Sequence, residues 1–337
     1  MWDSAGVAVT ATAAVTAITI VFPSHFISIK PLMRLDSSAA GLYVISATPF
    51  TTEGVLDLDS TNSLMDFYTR NGVTGMTILG IMGEAPKLSG EESMEFVNAC
   101  LARVKVPVIV GASAAGLDNL AGFSKRVMDA GAAGVMVAPV AGLKTDEQIH
   151  AYFEQVAERL KGIPWVLQDY PLVTTVTMST PLILKIITDF GDMVMLKHED
   201  WPGNNKVSRL RAAEAQGGRR VSILIGNGGA HYSQLLARGV DGAMTGFAYP
   251  EFLVKTRDLF KAGRQDAADD VFDACLPLMM QELQPGLGLA TRKYALMQRG
   301  AIKCDVVRAP GPKLNDLDRA EIDRLMARIE ARVDSIN

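Results

Sequence analysis

The sequence predicts an α/β fold: a (β/α)8 TIM barrel with a C-terminal three-helix extension. Three observations carry this. Short apolar, β-branched runs alternate with stretches of helical period eight times between residues 41 and 262. The runs are apolar almost throughout, which is the pattern of parallel strands covered on both faces. No G-x-G-x-x-G follows the first run, which counts against a doubly wound dinucleotide fold and favours a closed barrel.

The strand candidates are "GLYVISATPF" (41–50), "GMTILG" (75–80), "PVIVGAS" (107–113) and "GVMVAPV" (134–140). "PWVLQDYP" (164–171), "MVMLKHED" (193–200), "SILIGNGG" (222–229) and "GAMTGFAYP" (242–250) complete the eight. Amphipathic stretches such as "GEESMEFVNACLARV" and "TDEQIHAYFEQVAERL" separate them. Ser60 and Ser89 are read as helix-opening caps, and Gly72 and Gly131 as stops. Beyond the barrel (41–262), the segments 264–283, 288–300 and 317–336 keep helical periodicity and make a C-terminal helical subdomain over 263–337. The Met-rich "LPLMM" in the first of them is read as core or as oligomer contact.

Residues 1–40 are read as an N-terminal extension outside the fold. "AGVAVTATAAVTAITIVF" (5–22) is apolar, but Asp3 is the only charge before it, so the basic leader of a signal peptide is missing. Its Ala/Thr-rich composition is weakly hydrophobic for a membrane span. Met33 is expected to be the working start, and no membrane role is assigned.

Composition narrows the function. The 337 residues carry a formal net charge of −4, and Lys and Arg are scattered, so a nucleic-acid face, which needs concentrated positive charge, is not expected. Cys100, Cys275 and Cys304 lie far apart and fit neither a CxxC site nor a disulfide framework, which points to reduced thiols and a cytoplasmic location. His198 and His231 lack a second ligand at metal spacing on the same strand, so no metal is expected.

Barrel chemistry sits at the C-terminal ends of the strands. Read in order, these ends offer Thr48-Pro49-Phe50, Gly80-Ile81-Met82-Gly83-Glu84, Ser113, Pro139-Val140-Ala141, Gln168-Asp169-Tyr170-Pro171, Lys197-His198-Glu199, Gly226-Asn227-Gly228-Gly229 and Thr245-Gly246-Phe247. One lysine is among them. If Lys197 points into the barrel, alternation puts Met195 and Met193 beneath it and turns Leu196 and Val194 outward. An ammonium above two methionines is poorly hydrated, which favours its neutral form and imine chemistry with a carbonyl. On spacing alone, a rim ion pair between Lys197 and Glu199 accounts for the same residues.

From about Gly41 onward the chain resembles the dihydrodipicolinate synthase/N-acetylneuraminate lyase family. The residues that carry the resemblance are "TPF" (48–50), "GIMGE" (80–84) at the family's G-x-x-G-E, Pro171, and Lys197 at the imine-forming lysine. The resemblance implies a Schiff-base lyase on this barrel, acting on a small 2-oxo acid such as pyruvate. It also implies no cofactor beyond the covalent lysine imine, and a homo-oligomer, tetramer or dimer. Departures are equally informative. Ile81 and Met82 replace two hydroxyl residues, Gln168 replaces a tyrosine, Val173 stands at an arginine position, and Val140-Ala141 holds no tyrosine. "LQDYP" (167–171), "AMTGFAYPE" (243–251), the Leu276–Leu278 and Glu282–Gln284 pattern and "LATRKYALMQRGAI" (289–302) are similar to the 2-keto-3-deoxy-L-arabonate dehydratase branch.

The expected reaction is therefore dehydration of a 2-keto-3-deoxy sugar acid, with pyruvate-dependent aldol cleavage or synthesis as the alternative within the family. Lys197 is the expected nucleophile, with Tyr170 as phenol donor, Gln168 as an orienting amide and Glu199 as base or rim partner. Ile81 and Met82 line the expected site, with Asn227 and Thr245. The backbone at Gly80 and Gly83, and at Gly226 and Gly228, offers amides for the substrate carboxylate. Glu84 is either part of this wall or a buried carboxylate tying loops together. Two further readings stay open: a phosphate pocket in the loops after strands seven and eight, and an inactive barrel with a binding or regulatory role.

Overall fold

The structure is a computed structural model, and it describes residues 33–201 and 203–336. The expectations for residues 1–32 lie outside the described residues. Eight parallel strands close into a barrel in sequence order. They are β1 (Gly41–Ile45), β2 (Gly75–Ile78), β3 (Val108–Gly111), β4 (Gly134–Val137), β5 (Trp165–Asp169), β6 (Met193–His198), β7 (Ser222–Ile225) and β8 (Gly242–Thr245). Each lies within a run that the sequence marks as a strand.

Around them run α1 (Leu58–Arg70), α2 (Gly90–Arg103), α3 (Leu117–Asp129), α4 (Asp146–Arg159), α5 (Pro171–Thr174) and α6 (Thr180–Asp189). α7 (Asn204–Ala215), α8 (Tyr232–Leu236) and α9 (Pro250–Lys261) complete the ring. Three more follow: α10 (Gln265–Glu282), α11 (Gly288–Gln298) and α12 (Asp316–Asp334). Local signals explain many of the boundaries. Ser89 and Glu92 form a reciprocal capping box at the start of α2. Gly72 and Gly131 follow α1 and α3 with φ of 74° and 106°, the left-handed stop that glycine accepts without strain. The cap of α1, however, is Asp57 rather than Ser60. The Asp57 carboxylate accepts from the Ser60 amide at 2.9 Å and from its hydroxyl at 2.6 Å. The helix thus opens a turn earlier than expected, because Asp57 caps at least as well as serine.

The inner core is a stack of barrel-facing side chains that includes Tyr43, Ile45, Ile109, Met136, Val166, Met195, Leu224 and Met244. The outer core, between strands and helices, contains Val44, Ile78, Val110, Leu167 and Leu196 among many others. β6 departs from simple alternation at its start. The pairing register shifts between Trp165 and Val166, so Trp165 pairs with Met193 and Val166 with Met195. This bulge sends Met193 into the outer core and brings Val194 against the inner one, the reverse of what alternation predicts. Met195 and Lys197 keep the expected face because they follow the bulge.

A second correction concerns residues 33–40, which were expected to lie outside the fold. Leu35 is buried within the inner core, its amide donates to the Ala133 carbonyl at 2.9 Å, and Ser222 donates to the Ala39 carbonyl at 2.7 Å. A barrel open at its N-terminal end would leave Ala133 and Tyr43 wet, so the incoming chain closes it. In the extension, Met279 is buried and Met280 is half exposed, so "LPLMM" is only partly core. Among the described residues, no helix is long and apolar enough to cross a membrane. Leu35→Ala is expected to lower unfolding stability by about 2–4 kcal/mol through the cavity it leaves, read from the midpoint of urea denaturation. An unchanged midpoint would mean that the segment only rests on the barrel.

Candidate active site

At the C-terminal mouth of the barrel lies a cavity of about 410 Å³. Lys197 projects into it from β6 and is only 6% exposed. The register pairs Lys197 with Gln168 on β5, so both side chains rise from the same level. Two residues beyond Lys197, Glu199 folds back over it. Its Oε2 lies 3.1 Å from Lys197 Nζ and accepts from Gln168 Nε2 at 2.7 Å. Its Oε1 accepts from the Asn227 amide at 3.3 Å, and its backbone carbonyl from Asn227 Nδ2 at 2.6 Å. The ion pair between Lys197 and Glu199 is therefore formed, and it leaves the amine in the wall of the cavity.

Gly226 makes this possible. A Cβ there would stand 2.2 Å from Glu199 Cγ and 2.3 Å from its Oε1. The glycine contributes space for a carboxylate rather than an amide for substrate, and it does not line the cavity. The neighbouring loop is closed on itself as well: the Asn227 amide goes to Glu199, and those of Gly229 and Ala230 return to the carbonyls of Gly226 and Asn227. The Gly226, Asn227, Gly229 and Ala230 amides are thus bonded within the protein and are not free to cradle a phosphate. Asn227 and Gly228 do line the cavity, as do Thr245, Ile81 and Met82.

The G-x-x-G-E segment divides. Ile81 and Met82 face the cavity, whereas Gly80, Gly83 and Glu84 do not. Gly83 and Glu84 turn their amides back to the Gly80 and Ile81 carbonyls. The Glu84 carboxylate is buried among Lys293 Nζ at 2.5 Å, Lys87 Nζ at 2.9 Å and the Arg308 amide at 3.0 Å. It ties the loop after β2 to the C-terminal region, so its place among the substrate-binding residues is corrected to a structural one. Burial pushes the Lys293 ammonium below the ordinary lysine range, with Glu84 acting against the shift.

Tyr170 follows β5 directly and lines the cavity. Burial, and then the Glu199 carboxylate, push its phenol up to about 12, while Arg292 works in the opposite direction. It is thus protonated at neutral pH. Behind β5 and β6, Asp169 accepts from Lys206 at 3.0 Å and lies 3.3 Å from His198 Nδ1, and Lys206 pairs with Asp200 at 2.7 Å. His198 is further engaged with the Gly203 carbonyl at 3.1 Å. His231 stacks obliquely on Trp201, their ring centres 4.5 Å apart. Among the described residues, no group of three His, Cys, Asp or Glu side chains could hold a metal.

Part of the wall comes from residues that the sequence did not mark as site residues. Glu282, Leu283, Leu289 and Arg292, from α10, α11 and the turn between them, close the cavity from above. The Arg292 Nε donates to Glu282 Oε2 at 2.8 Å, and Glu282 also accepts from the Ala248 amide at 3.0 Å. Burial raises the Glu282 carboxyl above the ordinary range. The available signal was two adjacent cations, Arg292-Lys293, inside an otherwise weakly polar helix, which is where burial demands partners.

A lone buried lysine ending the sixth strand of such a barrel, with a carboxylate against its amine, is the layout of a lyase working through a lysine imine. The model of the dihydrodipicolinate synthetase family matches residues 38–329, and the chain belongs to that family. It is an enzyme of the Schiff-base lyase class. It is 28% identical over 305 residues to an L-2-keto-3-deoxyarabonate dehydratase of Azospirillum brasilense, covering 87% of this chain and 95% of that one. It is 29% identical over 237 residues to a 4-hydroxy-tetrahydrodipicolinate synthase of Xanthomonas campestris pv. campestris, covering 69% and 76%. Among solved structures, a dihydrodipicolinate synthase from Rhodopseudomonas palustris superposes with a TM-score of 0.87 at 46% identity, covering 88% of this chain and 99% of that one.

The structural role of Glu84 has a direct test. Lys293→Met leaves that carboxylate short of its deepest partner and is expected to cost about 3–5 kcal/mol in chemical denaturation. Adding Glu84→Gln should recover part of the loss; a single variant as stable as the parent would refute the role.

Proposed function

We propose that Lys197 forms an imine with the carbonyl of a 2-oxo acid, and that the enzyme removes water from a 2-keto-3-deoxy sugar acid. The observation that carries this is the Lys197–Glu199–Gln168 arrangement over an apolar barrel interior. The mouth has Ile81 and Met82 where family members that make or cleave C–C bonds carry hydroxyl residues. The likeness to the Azospirillum dehydratase supports the dehydration reading. The synthase names of the other two relatives support the runner-up, a pyruvate-dependent aldolase or synthase.

The chemistry follows from the contacts. Glu199 takes a proton from the Lys197 ammonium, and the neutral amine adds to the C2 carbonyl. That proton leaves with the former carbonyl oxygen as water, returning Glu199 to its carboxylate and giving an iminium. The C3 proton then passes to Glu199 as the iminium draws in the C–H electron pair. The enamine so formed expels the C4 hydroxyl, which leaves as water with the Tyr170 proton. The proton on Glu199 restores the phenol, and one water hydrolyses the conjugated iminium. Gln168 holds Glu199 by its amide and does not itself titrate.

Borohydride with pyruvate is expected to add mass to the one peptide containing Lys197, and Lys197→Ala to abolish the addition; label on another lysine overturns the assignment. With 2-keto-3-deoxy acids the expected product is a 2,5-dioxo acid or semialdehyde. Pyruvate plus an aldehyde in equal amounts would establish the aldolase instead.

Tyr170→Phe is expected to lower turnover about a hundredfold while leaving imine trapping intact. Because the phenol titrates only near 12, it stays protonated from pH 7 to pH 10. The ratio of wild-type to variant turnover should therefore stay flat across that window. A ratio near one throughout would mean that Tyr170 is not the donor, and one that collapses as pH rises would mean that the phenol loses its proton within that window.

A further inference from the structure

We propose that Arg292 and Thr245 form an anion subsite at the corner of the cavity between β8 and β1, and that it holds a carboxylate of the oxo-acid substrate. The proposal rests on the imine reading above and names the group that orients the substrate for it.

Buried polar atoms in folded proteins almost always have partners, and a buried guanidinium N–H without an acceptor is costly. Among the described residues, eight buried side-chain N or O atoms lack a hydrogen-bond partner. Only two of these, Thr245 Oγ1 and Arg292 Nη1, belong to residues lining the cavity. Both residues are 3% exposed. Thr245 is followed by Gly246, where a Cβ would stand 2.2 Å from Arg292 Nη1 and 2.8 Å from the Ile45 carbonyl oxygen. As at Gly226, a missing side chain lets a charged group approach the mouth.

The guanidinium is fixed from behind. Glu282 takes only its Nε–H, at 2.8 Å, and is itself held by the Ala248 amide. Nη1 is left without an acceptor on a side chain that cannot swing out to water. The remaining charges of the cavity are already matched, Lys197 with Glu199 and Arg292 with Glu282. Arg292 Nη1 is thus a buried donor of the cavity lining that no group of the protein satisfies, while the other cation there, Lys197, is the one assigned to the imine.

The chemistry selects a carboxylate over a phosphate. A planar monoanion suits one guanidinium edge and one hydroxyl. A phosphate dianion calls for a cradle of amides as well, and those of Gly226, Asn227, Gly229 and Ala230 in the loop after β7 are committed within the protein. Two carboxylates are available in substrates of this class: the one beside the reacting carbonyl, and a terminal one in a dicarboxylic acid.

The test is borohydride trapping as a function of carbonyl concentration, with the full-length wild type, Arg292→Lys and Thr245→Val. The probes are pyruvate, 2-oxoglutarate and the neutral ketone hydroxyacetone. Arg292→Lys is expected to raise the half-saturating concentration of an acid by about tenfold or more, and Thr245→Val by about threefold. Hydroxyacetone should be trapped alike by all three proteins. A rise already seen with pyruvate assigns the subsite to the carboxylate beside the carbonyl; a rise confined to 2-oxoglutarate assigns it to a terminal one. Thr245→Val breaks no hydrogen bond within the protein and carries the same comparison should Arg292→Lys fail to fold. Equal saturation of variants and wild type by both acids, or equal losses for acid and neutral ketone, overturns the subsite while leaving the imine reading intact. A wild type that traps none of the three carbonyl compounds overturns both.

Discussion

Two adjacent cations on a buried helix, Arg292 and Lys293, constrain much of the rest. α11 is covered on nearly every side, and both residues are almost fully buried. Charges removed from water need partners at close range. Lys293 finds Glu84 in the loop after β2, and Arg292 finds Glu282 at the end of α10. The first pair joins segments 209 residues apart, and the second, ten residues apart, joins the consecutive helices α10 and α11. The Glu84 link fastens the C-terminal region to the barrel, and the Glu282 link sets a guanidinium over the mouth. The lid of the site is thus an electrostatic consequence of burying one helix.

The same economy governs the reactive centre. Glu199 is held by three neighbours, Lys197, Gln168 and Asn227, each from a different part of the mouth. In the mechanism proposed above, such over-determination keeps the carboxylate within reach of a substrate proton without first reorganising. Gln168 fits this role better than a titrating residue would. As a neutral donor it fixes the carboxylate without competing for protons. Asp169 and His198 follow Gln168 and Lys197 on the opposite faces of their strands. With Lys206 they form a second polar set that keeps the two strand ends together.

Glycines matter here chiefly as absences. At Gly226 and Gly246 the space of a side chain is occupied by Glu199 and Arg292, so two backbone positions decide how closely opposite charges approach the cavity. Lys197 lines the same cavity as Glu199 and Arg292. The result is two neutral ion pairs facing a mouth whose remaining wall is largely apolar, from Ile81 and Met82 to Leu172 and Leu289.

The sequence by itself determined the barrel. Apolar runs of strand length, helices between them and glycine stops are local signals, and each of the eight strands falls inside the run that announces it. Lys197 was legible for the same reason: its place depends on the parity of one short strand, counted from its nearest barrel-facing neighbour. Met193 and Val194 were not, because the bulge that exchanges their faces is set by pairing with Trp165 across the sheet. Nor could the sequence divide "GIMGE" into cavity wall and buried tie, since that depends on Lys293, 209 residues away. Arg292 was hidden most deeply. Local pattern shows a charge in a helix, but whether that charge is solvated, paired or left with a free N–H is decided only when distant segments bury it together.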